Sequence, residues 1–224
     1  MISCIIPSFN RIKFLENQIL SLKEQSYKDI EIIVVDDGST QDYSIVKKMS
    51  DVKYIRLEEN SSSVSIPRAI GISHSTRKYI APIDDDIINL PNKFEKLLHD
   101  IETKNTLLSY GDRYTQYQNR VVLDKFGKLW DPRKEHGIDG SQYIYLNIYD
   151  KIPYVFSRRA CDYHTAQAIA NYNYKFSYIG EPVSVYVWHT SNRSLDSSNL
   201  DKKIYPSKFS KYFKKLYYSL PEEI

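Results

Sequence analysis

The sequence predicts an α/β fold: a mixed, mainly parallel sheet flanked by helices in a single compact domain. Three observations predict it. Apolar runs at 2–7, 30–35 and 79–83 carry few polar positions, as strands covered on both faces do. Between them lie segments with apolar residues at helical spacing, such as Phe14, Leu15, Ile19 and Leu22. Each strand-like run stops in a polar loop: Ser8-Phe9-Asn10-Arg11, Asp36-Asp37-Gly38-Ser39-Thr40 and Asp84-Asp85-Asp86. Strand, helix and parallel strand form a unit whose crossover is right-handed.

In chain order, the first strand is ended by Pro7, and Asn10 is a candidate N-cap for a helix over 12–25. The second strand, 30–35, precedes a helix over 42–49 and a third strand at 53–57. A polar loop at 61–65 leads to a helix over 66–75, with Arg68 near its start. Strand four, 79–83, runs into the acidic triplet. Residues 91–103 place Phe94, Leu97, Leu98 and Ile101 on one helical face, and 107–110 is a fifth strand. Beyond Gly111 the chain turns polar and aromatic, with strands at 113–118 and 120–124, a helix at 162–172, and strands at 176–179 and 183–187. A basic, aromatic tail follows, with Phe209, Tyr212, Phe213, Leu216 and Tyr217 at helical spacing over 202–218. The expected organisation is one unit at 1–110, a second at 111–198 and the tail at 199–224.

Composition narrows the class. The 224 residues are 42% hydrophobic and 26% charged, an ordinary globular balance. A net charge of +3 is too small to argue for a nucleic-acid partner. Two cysteines, Cys4 and Cys161, form no metal-binding pair and fit buried thiols in a reducing cytoplasm. Residues 1–7 enter a strand pattern without the basic and apolar regions of a secretory leader. No apolar run reaches the roughly 18 residues of a membrane span. Twenty tyrosines against seven glycines suit a sugar-binding surface, or only a biased composition.

The most informative stretch is 79–87, an apolar strand that ends in three adjacent carboxylates. Like charges in a row repel. At the end of a buried strand they call either for a cation or for a solvated turn, and open α/β sheets place ligands there. Magnesium or manganese suits an all-oxygen site that leaves positions open for substrate phosphates.

Ile5-Ile6-Pro7-Ser8-Phe9-Asn10-Arg11, then Ile32-Ile33-Val34-Val35-Asp36-Asp37-Gly38-Ser39, then Ile83-Asp84-Asp85-Asp86-Ile87, in this order, resemble a family-2 inverting glycosyltransferase. The resemblance is strong over 1–110 and looser over 150–195. It implies the GT-A (Rossmann-like) fold and transfer from a nucleotide-diphosphate sugar with inversion. It further implies that Pro7, Ser8, Phe9, Arg11, Asp36 and Arg68 bind nucleotide, Asp36 favouring a UDP-sugar because a carboxylate accepts the N3–H of uracil. The triplet corresponds to the family's DxD-type motif. Asp84 and Asp85 then approach the nucleotide, while Asp85 and Asp86, with His189, hold Mn2+ or Mg2+. Asp162 matches the general base at the start of a helix, although Cys161 stands where relatives carry an acidic residue or glycine.

The resemblance thus implies a hydroxyl of a glycan or other acceptor attacking the anomeric carbon. A sugar nucleotidyltransferase is a second reading, against which stands the lack of glycine in the loop at 7–11. A non-catalytic carbohydrate-binding protein is a third. Arg158 and Arg159 are candidate anion contacts; Trp130, Trp188 and the tyrosines of 143–154 either stack on sugars or fill the core. The tail either touches a membrane surface peripherally, packs on its own domain, or pairs two copies in a homodimer.

Overall fold

The computed structural model describes residues 1–127, 129–134, 137–149, 151–152, 154–157, 161–188 and 206–214. A single nine-stranded sheet organises them. Four parallel strands come first: β1 (Ile2–Ser8), β2 (Ile30–Asp36), β3 (Val52–Arg56) and β4 (Tyr79–Pro82), in the order β3-β2-β1-β4. The sheet then becomes mixed. β8 (Tyr143–Leu146) lies antiparallel to β4, and β6 (Leu108–Tyr117) antiparallel to β8. β9 (Phe176–Val187) runs parallel to β6 and pairs antiparallel with the short β5 (Ile87–Asn89). β7 (Arg120–Asp124) forms a hairpin with the far end of β6.

Two apolar layers cover the sheet. Ile2, Cys4 and Ile6 of β1 face one side, where they meet Leu15, Ile19 and Leu22 of α1 (Ile12–Lys23) and Phe94, Leu97 and Ile101 of α4 (Lys93–Lys104). Ile5, Ile33 and Val35 face the other, against Ile66, Ala69 and Ile70 of α3 (Ser65–Ser73) and, further along, Ala166 and Ile169 of α5 (Cys161–Asn171). The alternation follows from the two-residue period of a strand. Gly71 lets α3 sit close: a Cβ there would stand 2.4 Å from Ile5 Cγ2. α2 is only Ser44–Lys47, shorter than the expected 42–49, and Asp42 Oδ1 accepts the Ser44 N–H just ahead of it.

Several expectations change. β1 continues through Pro7 to Ser8, in register with Val35 and Asp36. Asn10 does not cap α1, whose N-cap is Arg11. It adopts a left-handed conformation at φ 53, and its Oδ1 accepts the N–H groups of Thr40 and Gln41 instead. The strands expected at 107–110 and 113–118 are one strand, β6, with a register shift around Gly111 and Asp112. Those at 176–179 and 183–187 likewise merge into β9. β5 and β8 were not anticipated, since three or four residues carry too little period to read. Trp130, Tyr143, Tyr145, Tyr149 and Tyr154 are core residues, each at most 5% exposed. Both cysteines are free, buried thiols whose pKa values burial pushes up to about 12.

The described part of the tail packs on its own domain. Pro206–Tyr212 is a 3-10 helix rather than the expected α-helix. Phe209 is buried, the Tyr212 hydroxyl accepts the Glu58 N–H at 2.8 Å, and His74 Nε2 meets the Tyr212 carbonyl at 2.8 Å. No helix of the described residues is long and apolar enough to cross a membrane.

Lys93 is fully buried at the first turn of α4. Its ammonium donates to Asn89 Oδ1 at 2.7 Å and to the Ser141 carbonyl, both uncharged oxygens. Burial pushes its pKa down from 10.5 to about 7. The unfolded chain therefore holds this proton through a range where the native state has lost it. Stability gains a rising contribution between pH 7 and 10.5, and the cost of the buried cation is felt in full below pH 7. Urea unfolding of the parent and of Lys93→Met across that range should show a rise present only in the parent.

Candidate active site

The site forms where β1, β2 and β4 end. Beyond β4, Ile83 still donates its N–H to the Ile5 carbonyl at 2.9 Å, so the triplet emerges directly beside the end of β1. Two arginines from different elements hold it. Arg11 Nη1 lies 3.0 Å from Asp85 Oδ1 and 3.0 Å from Asp86 Oδ2. Ser8 adds a hydroxyl bond to Asp85 Oδ2 at 2.9 Å. Asp85 is 6% exposed. Burial pushes its carboxyl up to about 7, Asp86 adds to the rise, and Arg11 opposes it.

Arg68, on the face of α3 turned to the sheet, is buried and spans two carboxylates. Nη2 bonds Asp84 and Nη1 bonds Asp162, while Cys161 Sγ lies 2.9 Å from Nη1. The stretch containing Asp162 thus meets the triplet across one guanidinium. Asp162 is the second residue of α5. The Gly140 N–H also bonds its carboxylate, from a 3-10 turn at Gly140–Gln142 capped by Asp139. Burial raises the Asp162 pKa, Arg68 opposes that rise and Asp84 adds to it. A Cβ at Gly140 would lie 2.9 Å from Asp162 Oδ1 and 3.3 Å from Pro82 Cβ, so any larger residue there displaces the Asp162 carboxylate.

At the end of β2, Asp36 is fully buried and opposite Ser8 in the ladder. Its Oδ1 accepts the Ser39 N–H at 2.8 Å, and its Oδ2 takes the Tyr54 hydroxyl and the Arg56 guanidinium. Asp37 fixes the next loop through Ser61 N and Asn60 Nδ2. Pro7 is buried within β1, and Phe9 stands 41% exposed in the loop after it. The structure therefore brings together Ser8, Arg11, Asp84, Asp85, Asp86, Arg68 and Asp162, with Asp36 one strand away. His189, Arg158 and Arg159 lie outside the described residues.

Arg56, Tyr43 and Lys93 belong to this neighbourhood and were not singled out from the sequence. Arg56 becomes visible only once the register places it opposite Asp36. Tyr43 joins Ser8 through its hydroxyl at 2.9 Å and takes the Arg11 N–H at 3.0 Å. Among the described residues no group of three or more His, Cys, Asp or Glu side chains is arranged to hold a metal. Asp85 and Asp86 offer two carboxylates, both facing Arg11.

A mixed sheet of this order with carboxylates where its parallel strands end defines an α/β domain of the kind that takes ligands at its strand ends. The family model for "Glycosyl transferase family 2" matches residues 3–161, and the chain belongs to that family. The match ends one residue before Asp162. An uncharacterized glycosyltransferase of Rickettsia bellii is 33% identical over 155 residues, 67% of this chain and 20% of that protein. The Escherichia coli protein WfaP, described as a UDP-Glc:alpha-D-GlcNAc-diphosphoundecaprenol beta-1,3-glucosyltransferase, is 30% identical over 52% of this chain and 47% of its own length. The S. aureus TarS 1-349 structure in complex with UDP-GlcNAc superposes with a TM-score of 0.72 at 17% identity, over 94% of this chain and 64% of that one. This likeness shows the fold. The chain spans between a fifth and about half of the curated relatives quoted.

Proposed function

We propose that this chain transfers a sugar from a nucleotide-diphosphate donor, most simply a UDP-sugar, to a hydroxyl of a glycan or other acceptor with inversion at the anomeric carbon. The observation that carries this reading is the Arg68 bridge, which puts Asp162 beside the acidic triplet although 78 positions separate Asp84 from Asp162 in the chain. Donor carboxylates and an acceptor-side base must stand that close for one displacement to join them. Two relatives support a hydroxyl acceptor on a carrier-linked sugar or a polyol polymer: WfaP, a UDP-Glc:alpha-D-GlcNAc-diphosphoundecaprenol glucosyltransferase, and TarP of S. aureus, a poly(ribitol-phosphate) beta-N-acetylglucosaminyltransferase.

In this reading the acceptor hydroxyl gives its proton to the Asp162 carboxylate as its oxygen bonds to the anomeric carbon. The bond to the diphosphate oxygen breaks on the opposite face, and the nucleoside diphosphate leaves with the electron pair. Burial suits Asp162 to the task, since a base works best with its pKa near the working pH. Arg11 would draw diphosphate oxygens toward the triplet, and Arg68, whose side chain is 3% exposed with both Nη atoms bonded, would do so only by releasing a carboxylate. Pro7, Ser8, Phe9 and Asp36 would frame the base. For Asp36 this requires Tyr54 or Arg56 to yield an oxygen, because both of its oxygens are bonded.

A divalent cation fits by charge. With all four carboxyls ionised, Asp84, Asp85, Asp86 and Asp162 outnumber Arg11 and Arg68 by two negative charges, and a bound cation would favour that ionised state over the raised pKa values of Asp85 and Asp162. Asp85 and Asp86 would hold Mn2+ or Mg2+, in the manner of sites that use one or two carboxylates plus substrate phosphates. Such an ion neutralises charge on the departing diphosphate. Two free thiols among the described residues support a reducing, cytoplasmic compartment.

The test is UDP or GDP release from a panel of UDP- and GDP-sugars with manganese, with and without glycan acceptors. Release with none of them would sink the reading if the protein is folded. Gly140→Ala should then lower turnover by up to about 10²-fold while leaving the melting temperature nearly unchanged, because a displacement near 1 Å is enough to misalign a base.

A further inference from the structure

A second aromatic cluster lies beside this site and has no role in the chemistry above. The register that pairs Gln116 with Val187 brings Tyr117 opposite Trp188, where β6 turns into β7 through Gln118 and Asn119. The two rings sit 6.1 Å apart at 38°, and the Arg120 guanidinium lies 5.1 Å from the centre of the Tyr117 ring. Tyr117, Gln118, Asn119, Arg120 and Trp188 line a shallow cavity of about 310 Å³, within the range of small-ligand sites.

Unlike Trp130, which is 3% exposed in the core, Trp188 is 37% exposed. Trp188 thus keeps part of its indole open to a ligand beside the Tyr117 ring. The lining pairs flat aromatic faces with two amides and a guanidinium. That combination matches a pyranose, whose C–H faces stack on rings while its hydroxyls take hydrogen bonds. It suits a planar apolar ligand less well, because such a ligand would make no use of the two amides and the guanidinium.

The cluster is tied to the triplet through backbone. The Val187 N–H donates to the Asp86 carbonyl at 3.3 Å, and the Trp188 N–H donates to the Gln116 carbonyl at 2.9 Å. Trp188 therefore stands one strand step, about 3.3 Å of rise, beyond a residue bonded to Asp86. We propose that the Tyr117–Trp188 cavity is an acceptor subsite that binds a pyranose unit of the saccharide receiving the transferred sugar. This rests on the glycosyltransferase reading for its biological purpose, but not for its binding chemistry.

The test exploits the tryptophans, which number two in the chain. Cellotetraose and chitotetraose are titrated at millimolar concentration into the full chain while indole emission is followed. UDP release from UDP-glucose and UDP-GlcNAc without acceptor is measured in parallel. The expected result is a saturable emission change with at least one oligosaccharide, absent in Trp188→Phe and weakened about tenfold or more in Tyr117→Ala. Acceptor-free UDP release should be the same in the parent and Tyr117→Ala. No saturable change with either sugar, or a change that Tyr117→Ala leaves intact, overturns the subsite. Sugar binding without any UDP release keeps the subsite and sinks the reaction; UDP release without sugar binding does the reverse.

Discussion

Asp162→Asn should lower sugar transfer by about 10²–10⁴-fold, the range that a positioned general base contributes. The amide keeps the shape of the carboxylate and can still accept the Gly140 N–H, so the α5 start should hold its place. What it loses is the ability to take a proton. The donor KM should change little, because Asp84, Asp85 and Asp86 remain with Arg11 and Arg68. Initial-rate kinetics with varied donor and acceptor check this. A variant retaining most of the parent kcat would remove Asp162 from the chemistry and leave it a helix-start residue.

The largest effect on stability is expected from Arg68→Met. The guanidinium side chain is 3% exposed and stands between two carboxylates and a thiol. Met fills much of the same volume but leaves Asp84 and Asp162 without their cation. Breaking a buried pair by removing one partner costs about 3–5 kcal/mol, because the remaining charge stays desolvated. Asp162 is the more buried of the two, with its side chain 16% exposed against 30% for Asp84, and should respond by holding its proton to higher pH. The loss should therefore be larger at pH 8 than at pH 5, since an Asp162 carboxyl that holds its proton needs no cationic partner. Urea unfolding at both values reads it directly. A loss below about 1 kcal/mol at pH 8 would mean that the bridge is a surface pair in effect.

The fold was legible where the chain repeats a pattern long enough to count. β1, β2, α1 and α4 follow from apolar periods of seven to twelve residues, and their buried faces are those the periods mark. The second part of the sheet was harder. β5 and β8 span three and four residues, and β9 hides Gly180 and Pro182 at a bend that reads as a break. Tyrosines that look like a sugar platform in sequence, Tyr143 and Tyr145 among them, are core, because nothing in a tyrosine's local context reveals which side of a sheet it takes.

The site was legible in part for a related reason. Carboxylates at strand ends announce themselves, so Asp36 and Asp84 to Asp86 could be named from the sequence. Arg11 and Arg68 could be named as well, though as nucleotide contacts rather than as the cations that hold the carboxylates, whereas Arg56 needs the β2–β3 register. Lys93 reads as an ordinary helix-start lysine, and only burial against Asn89 and Ser141 sets it apart.

The account turns on the acidic ends of β4 and their two arginines forming a seat for a nucleoside diphosphate. Calorimetric titration of UDP into the parent and an Asp85→Asn, Asp86→Asn double variant, each with manganese and with chelator, tests it most directly. The account predicts UDP binding to the parent that depends on manganese and is lost in the folded double variant. Equal UDP affinity in both proteins, indifferent to chelator, would contradict it.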